Sequence, residues 1–126
     1  MAQIYADMSD AEKNAYWELY YSTRDTLRFA IVDLDAAATT AQQSSTSSAI
    51  LAEKLRLDSE LVKLQNDSTA IAAGSSTITP PSAGEIELVK GFADRVDRFI
   101  ATATTYQQVI SIADEALKAY AKIYAA

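Results

Sequence analysis

Apolar and polar positions along the chain follow a helical period, and one stretch shows it without a slip. Steps of three and four connect Val89, Phe92, Val96, Phe99, Ala103, Tyr106, Ile110, Ala113, Leu117, Tyr120 and Tyr124, each of them apolar or aromatic. Such a seam is the heptad signature of a helix that faces a partner helix. At the standard rise it would run for about 54 Å. No isolated helix hides so long a stripe from water, so the pattern demands neighbours.

Two earlier segments supply them. Ser9-Asp10-Ala11-Glu12 has the form of a capping box, in which Ser9 accepts from the Glu12 amide and Glu12 reaches back. It opens a helix over residues 9–43, with a seam of Tyr16, Tyr20, Thr23, Leu27, Ala30, Leu34, Ala37 and Ala41, thickened by Ile31. The serine-rich run 39–48 then predicts a tight turn near 43–47, because short hydroxyls compete with the helical backbone. The rival reading is one unbroken helix from Ser9 to Ala73. A second helix is expected over 47–73, its seam made by Ile50, Leu57, Leu61, Leu64 and Ile71 and widened by Leu51, Leu55 and Val62. Lys54 and Ser68 interrupt that seam. Gly74 suits a left-handed helix end. Pro80 and Pro81 mark residues 74–82 as a linker. Ser82 to Glu85 is a second capping box, and it launches a third helix over 83–125. Ion pairs at helical spacing are expected between Asp94 and Arg98 and between Asp114 and Lys118. The fold class predicted is all-α: an elongated up-down-up three-helix bundle with coiled-coil-like packing, one domain over 1–126.

Levels along such a bundle carry two further expectations. Residues 36–52 and 99–113 hold no charge, and both stretches are expected at the same end, as an uncharged collar. Interface centres are depleted in charge, so the collar is a candidate contact surface. A third helix of that length would also overhang the turn between the first two. Its tip, with Leu117, Tyr120, Ile123 and Tyr124, would then lack a partner within the chain and form a protein interface.

The run Tyr16-Trp17-Glu18-Leu19-Tyr20-Tyr21 is the densest local feature. Trp17 and Tyr21 lie beside the seam, continued by Arg24 and Arg28 at helical spacing. Left open, that face would be a binding hot spot. Covered by the proline linker, with arginines stacked over the rings, it is packing.

Composition narrows the chemistry. The chain has 126 residues, no cysteine and no histidine, which removes disulfides, thiolates and the commonest general base and metal ligand. Asp94 and Asp97 interleave with Arg95 and Arg98, as on a solvated charged face, and Asp33-Leu34-Asp35 lacks the rest of a calcium loop. No glycine-rich phosphate cradle appears. No catalytic, cofactor-binding or metal-binding residue is therefore assigned, no cofactor is expected, and the protein is read as a non-enzyme. A net charge of −6 repels phosphate backbones, so nucleic acid is not an expected partner. No run reaches the length of a membrane span and no signal peptide is read, which makes the cytoplasm the default location, with a virion or leaderless export open. The function expected is protein–protein contact, as a homo-oligomer or self-assembling structural or assembly subunit. Two alternatives are an acidic inhibitor of a basic site on another protein and a carrier of a small apolar ligand between helices.

Overall fold

The computed structural model describes residues 2–124. Among the described residues the protein is all-helical, with four helices rather than three: α1 (Asp10–Thr40), α2 (Ser44–Ala72), α3 (Ala83–Arg98) and α4 (Tyr106–Ala121). Single-turn 3₁₀ helices, Tyr5–Asp7 and Lys122–Tyr124, precede α1 and follow α4.

Both capping boxes form. The Ser9 Oγ accepts from the Glu12 amide at 3.1 Å and Glu12 accepts from the Ser9 amide at 2.9 Å. Ser82 and Glu85 repeat the exchange at the start of α3. The turn between α1 and α2 falls at 41–43, slightly earlier than the serines suggest. Ser44 and Ser45 enter the first turn of α2, and Ser47 donates across the turn to the Ala38 carbonyl at 3.1 Å. α2 ends in a Schellman motif. Gly74 is left-handed (φ 80°), its amide donates to Ile71, and the Ser75 amide donates to Ala70 at 2.9 Å.

The predicted third helix is broken at 99–105. Threonine hydroxyls there take over from the helical backbone. The Thr102 amide donates to Thr105 Oγ1 at 2.9 Å, the Thr104 amide to Thr102 Oγ1, and the two hydroxyls of Thr102 and Thr105 bond each other at 3.0 Å. β-Branched side chains already disfavour helix, and this local network gives the chain a competing place for its amides. The chain therefore reverses. α4 runs back beside α1, bringing Tyr120 to Tyr16, with their hydroxyls 2.9 Å apart. The expected overhang does not exist, because the turns that carry Leu117, Tyr120 and Ile123 return to the end where α1 starts.

The result is an up-down-up-down arrangement with α1 as the central helix, packed on α2, α3 and α4, while α3 also packs on α4. Three neighbours explain why α1 buries more than one seam. Leu19 and Thr26 join Tyr16, Tyr20, Thr23, Leu27, Ala30, Leu34 and Ala37 in the core. The two threonines satisfy their hydroxyls on carbonyls four residues back, Leu19 and Ser22, each at 2.8 Å. In α4 the buried face is Val109, Ile112, Ala113, Ala116, Ala119 and Tyr120. Relative to the predicted seam it is rotated, so that Tyr106, Ile110 and Leu117 are only half-buried.

α2 is held by a narrower seam of Ile50, Leu57, Leu64, Ser68 and Ile71. Leu51, Leu55 and Val62 do not widen it; they are exposed. The ion pairs also differ from expectation. Among the described residues neither predicted pair forms: Asp114 takes Arg56 of α2, and Lys118 takes Glu115.

One end of the bundle is tied across the chain. Gln3 and Ile78 exchange backbone hydrogen bonds at 2.7 and 2.8 Å, and the Thr79 amide donates to the Ile123 carbonyl. The arm, the linker and the segment after α4 thus close over the base of α1, where Met8 and Ile78 are buried.

Candidate contact surfaces

The reversal of α4 merges two groups of residues that the sequence places apart. Trp17 and Tyr21, from α1, and Leu117, Tyr120, Ile123 and Tyr124, from α4 and the turn after it, meet at the tied end. Ring contacts run through the group: Trp17 to Tyr16 (5.1 Å between centroids), Tyr16 to Tyr120 (6.3 Å) and Tyr120 to Tyr124 (6.4 Å). Tyr120 and Ile123 are buried, Leu117 and Trp17 are half-buried, and only Tyr21 and Tyr124 face solvent. Trp17 Nε1 donates to the Tyr5 hydroxyl at 2.7 Å, so the N-terminal arm covers it. The Arg24 guanidinium lies 4.7 Å from the centroid of Tyr21, which is the expected stacking of arginine over a ring. Most of this cluster is core packing within the chain.

The hydroxyls of Tyr16 and Tyr120, both buried, share one hydrogen bond in which either can be the donor. Beside Tyr120 a groove runs between α2 and α4. Burial pushes both phenols well above the usual tyrosine range. The groove encloses about 710 Å³ over a floor that includes Leu64, Leu117 and Tyr120. Its flanks balance, with Arg56, Lys63 and Lys118 against Glu60, Asp67 and Asp114. Arg56 bonds Asp114 through both terminal nitrogens, at 3.0 and 3.3 Å, and so bridges the groove.

The opposite end is chemically different. Loop 99–105 lies beside the α1–α2 turn, at the end where the uncharged collar is expected although the third helix is not continuous, and the two enclose a cleft of about 640 Å³. Ala36, Thr40, Gln42, Gln43 and Thr46 form one wall, and Ile100 to Thr104 form the other. Among the described residues no charged side chain lines it. Ile100 stands 85% exposed at its rim, more than any other large apolar side chain described. Hydrogen bonds among Thr102, Thr104 and Thr105 brace the loop that presents it. Ile100 is invisible as a site while residues 83–125 are read as one helix. The signal that exposes it is the threonine-rich run that follows it.

A third feature lies between α1 and α3. The Asp33 Oδ2 is buried without a hydrogen-bond partner. Desolvation, with the nearby charge of Asp97 adding to it, raises its carboxyl to about 6. Among the described residues no group of three or more acidic, histidine or cysteine side chains is arranged to hold a metal. No helix among those residues is long and apolar enough to cross a membrane. Comparison with known proteins adds no relative: no family model, no curated protein and no solved structure matches the chain.

Proposed function

We propose that this is a non-enzymatic helical protein that works through protein–protein contact, as a subunit of a larger assembly, and that its uncharged end is the contact surface. One observation carries the reading. A cleft without a charged side chain sits beside an isoleucine held almost wholly in water. Uncharged, partly apolar surface costs little to desolvate, and a side chain such as Ile100 gains most when a partner covers it. The rest of the surface is rich in carboxylates and basic side chains, which favour staying hydrated.

The test compares two single substitutions. Ile100→Asp places a charge at the rim of the cleft. Leu88→Asp places one at another exposed apolar position, on α3. Proteins retained from source cells by the native chain are identified by mass spectrometry. A partner kept by Leu88→Asp and lost by Ile100→Asp supports the reading. Retention of the same proteins by both variants removes this end from consideration.

A further inference from the structure

We infer that the outer face of α2 pairs with α2 of a second copy, antiparallel, about a two-fold axis near residues 56 and 57. Leu51, Leu55 and Val62 are 39%, 63% and 55% exposed. Scattered exposed leucines need no explanation, but these three are not scattered. At about 100° per residue they fall within an arc of about 40°, and that arc lies about 150° round the helix from the core seam of Ile50, Leu57, Leu64 and Ile71. α2 thus carries apolar side chains on two opposite sides and buries only one of them. That is the pattern of a helix between two partners.

The spacing of the outer stripe admits a second copy of α2 as the second partner, and charge selects its direction. Its positions are Ser44, Ser48, Leu51, Leu55, Asp58, Val62, Gln65 and Thr69. The intervals read 4, 3, 4, 3, 4, 3, 4, the same from either end. An antiparallel copy therefore sets Leu51 against Val62 and Leu55 against Asp58, twice over, as an isologous contact requires. Charge agrees with this register. Lys54 and Asp58 lie on the same side of the stripe, so the two-fold brings each Lys54 within about one residue of level with the partner's Asp58, nearer along the axis than the two Asp58 side chains, which stand about three residues apart. In the single chain Lys54 reaches Asp35 at 3.8 Å, while no ion pair is formed by Asp58 among the described residues. The opposite flank of the stripe carries Ala52, Ser59 and Asn66, so no like charges face each other there. A parallel copy would instead align Asp58 with Asp58 and Lys54 with Lys54.

This face is separate from the uncharged cleft, so the inference does not depend on that reading. Light scattering across a concentration series gives the mass of the native full-length chain in solution. The expected mass rises to twice 13.6 kDa, and Leu55→Asp returns it to the single value. Because Leu55 is mostly in water, the variant keeps its fold, which its melting curve checks. Register is tested in the naturally cysteine-free chain by single substitutions. Leu51→Cys mixed with Val62→Cys should form a mixed disulfide, and Leu51→Cys alone should not cross-link, its two copies lying about 16 Å apart along the axis. A native chain that stays single at every concentration overturns the inference. So does a dimer that survives Leu55→Asp, or efficient cross-linking of Leu51→Cys with itself.

Discussion

Asp33 holds a charge where the structure gives it little support, with one oxygen buried and unpartnered and Asp97 adding repulsion. Its carboxyl is raised from 3.8 to about 6, so the folded state binds this proton more tightly than the unfolded chain does. The sign follows from linkage. Asp33 lowers stability as pH rises from about 4 to 6, and the loss is complete above that range. Asp33→Asn removes the charge and its penalty. Discounted for the solvent that still reaches the carboxyl, the gain is roughly 1 kcal/mol at pH 7 and vanishes near pH 4. Urea melts of both proteins at several pH values test this through their difference, which cancels every carboxylate the two share. An Asn variant no more stable than the parent at pH 7 would contradict the assignment. Nothing in the sequence singles Asp33 out, because its burial depends on how α3 crosses α1. The capping serines are the reverse case: their partners lie three residues away, and both boxes were readable from the sequence.

At the scale of elements, glycines make the sharpest test of how helices end and continue. Gly74 closes α2 at φ 80°, and a Cβ built there meets no atom within 4 Å. The penalty for Gly74→Ala is therefore purely conformational, about 1 kcal/mol of destabilisation. Gly91 lies within α3, exposed, and its Cβ also meets nothing. Gly91→Ala should stabilise by about 0.5–1 kcal/mol, since alanine orders more cheaply in a helix. Thermal melts of the two variants should shift in opposite directions. Shifts of the same sign would mean that one of these helix assignments is wrong. Helix starts and the end of α2 are legible because caps are local chemistry. The division between α3 and α4 is less so. The heptad pattern runs through residues 99–105 without a gap, and only hydroxyl competition from Thr102, Thr104 and Thr105 cuts it. Periodicity reports which side of a segment is apolar, but it does not report whether the segment stays continuous. The same limit hid the outer stripe of α2, where Leu51 and Leu55 read as core until the seam through Ile50 and Leu57 fixes the inward direction.

For the whole molecule, the class of fold was legible and its topology was not. Scarce glycine and proline with long apolar periods imply helices packed on helices, whereas the reversal at 99–105 decides how many there are and which end α4 reaches. The uncharged end survives that change, because loop 99–105 still arrives beside the α1–α2 turn. The tied end has a different consequence. Gln3 is paired to Ile78, and the next residue, Thr79, is bonded to Ile123. Positions 3 and 123 are therefore separated by about two strand spacings, roughly 10 Å. The path from residue 3 to residue 123 thus nearly closes on itself. A short glycine–serine bridge between those positions, with the ring reopened between Gln42 and Gln43, should yield a permuted protein with a native helical spectrum and a melting point near the parent's. Collapse of that permutant to an unfolded spectrum would show that the α1–α2 connection itself is required. If it folds, its new ends lie in the uncharged cleft, so the same molecule would keep the bundle while interrupting the surface proposed to meet a partner.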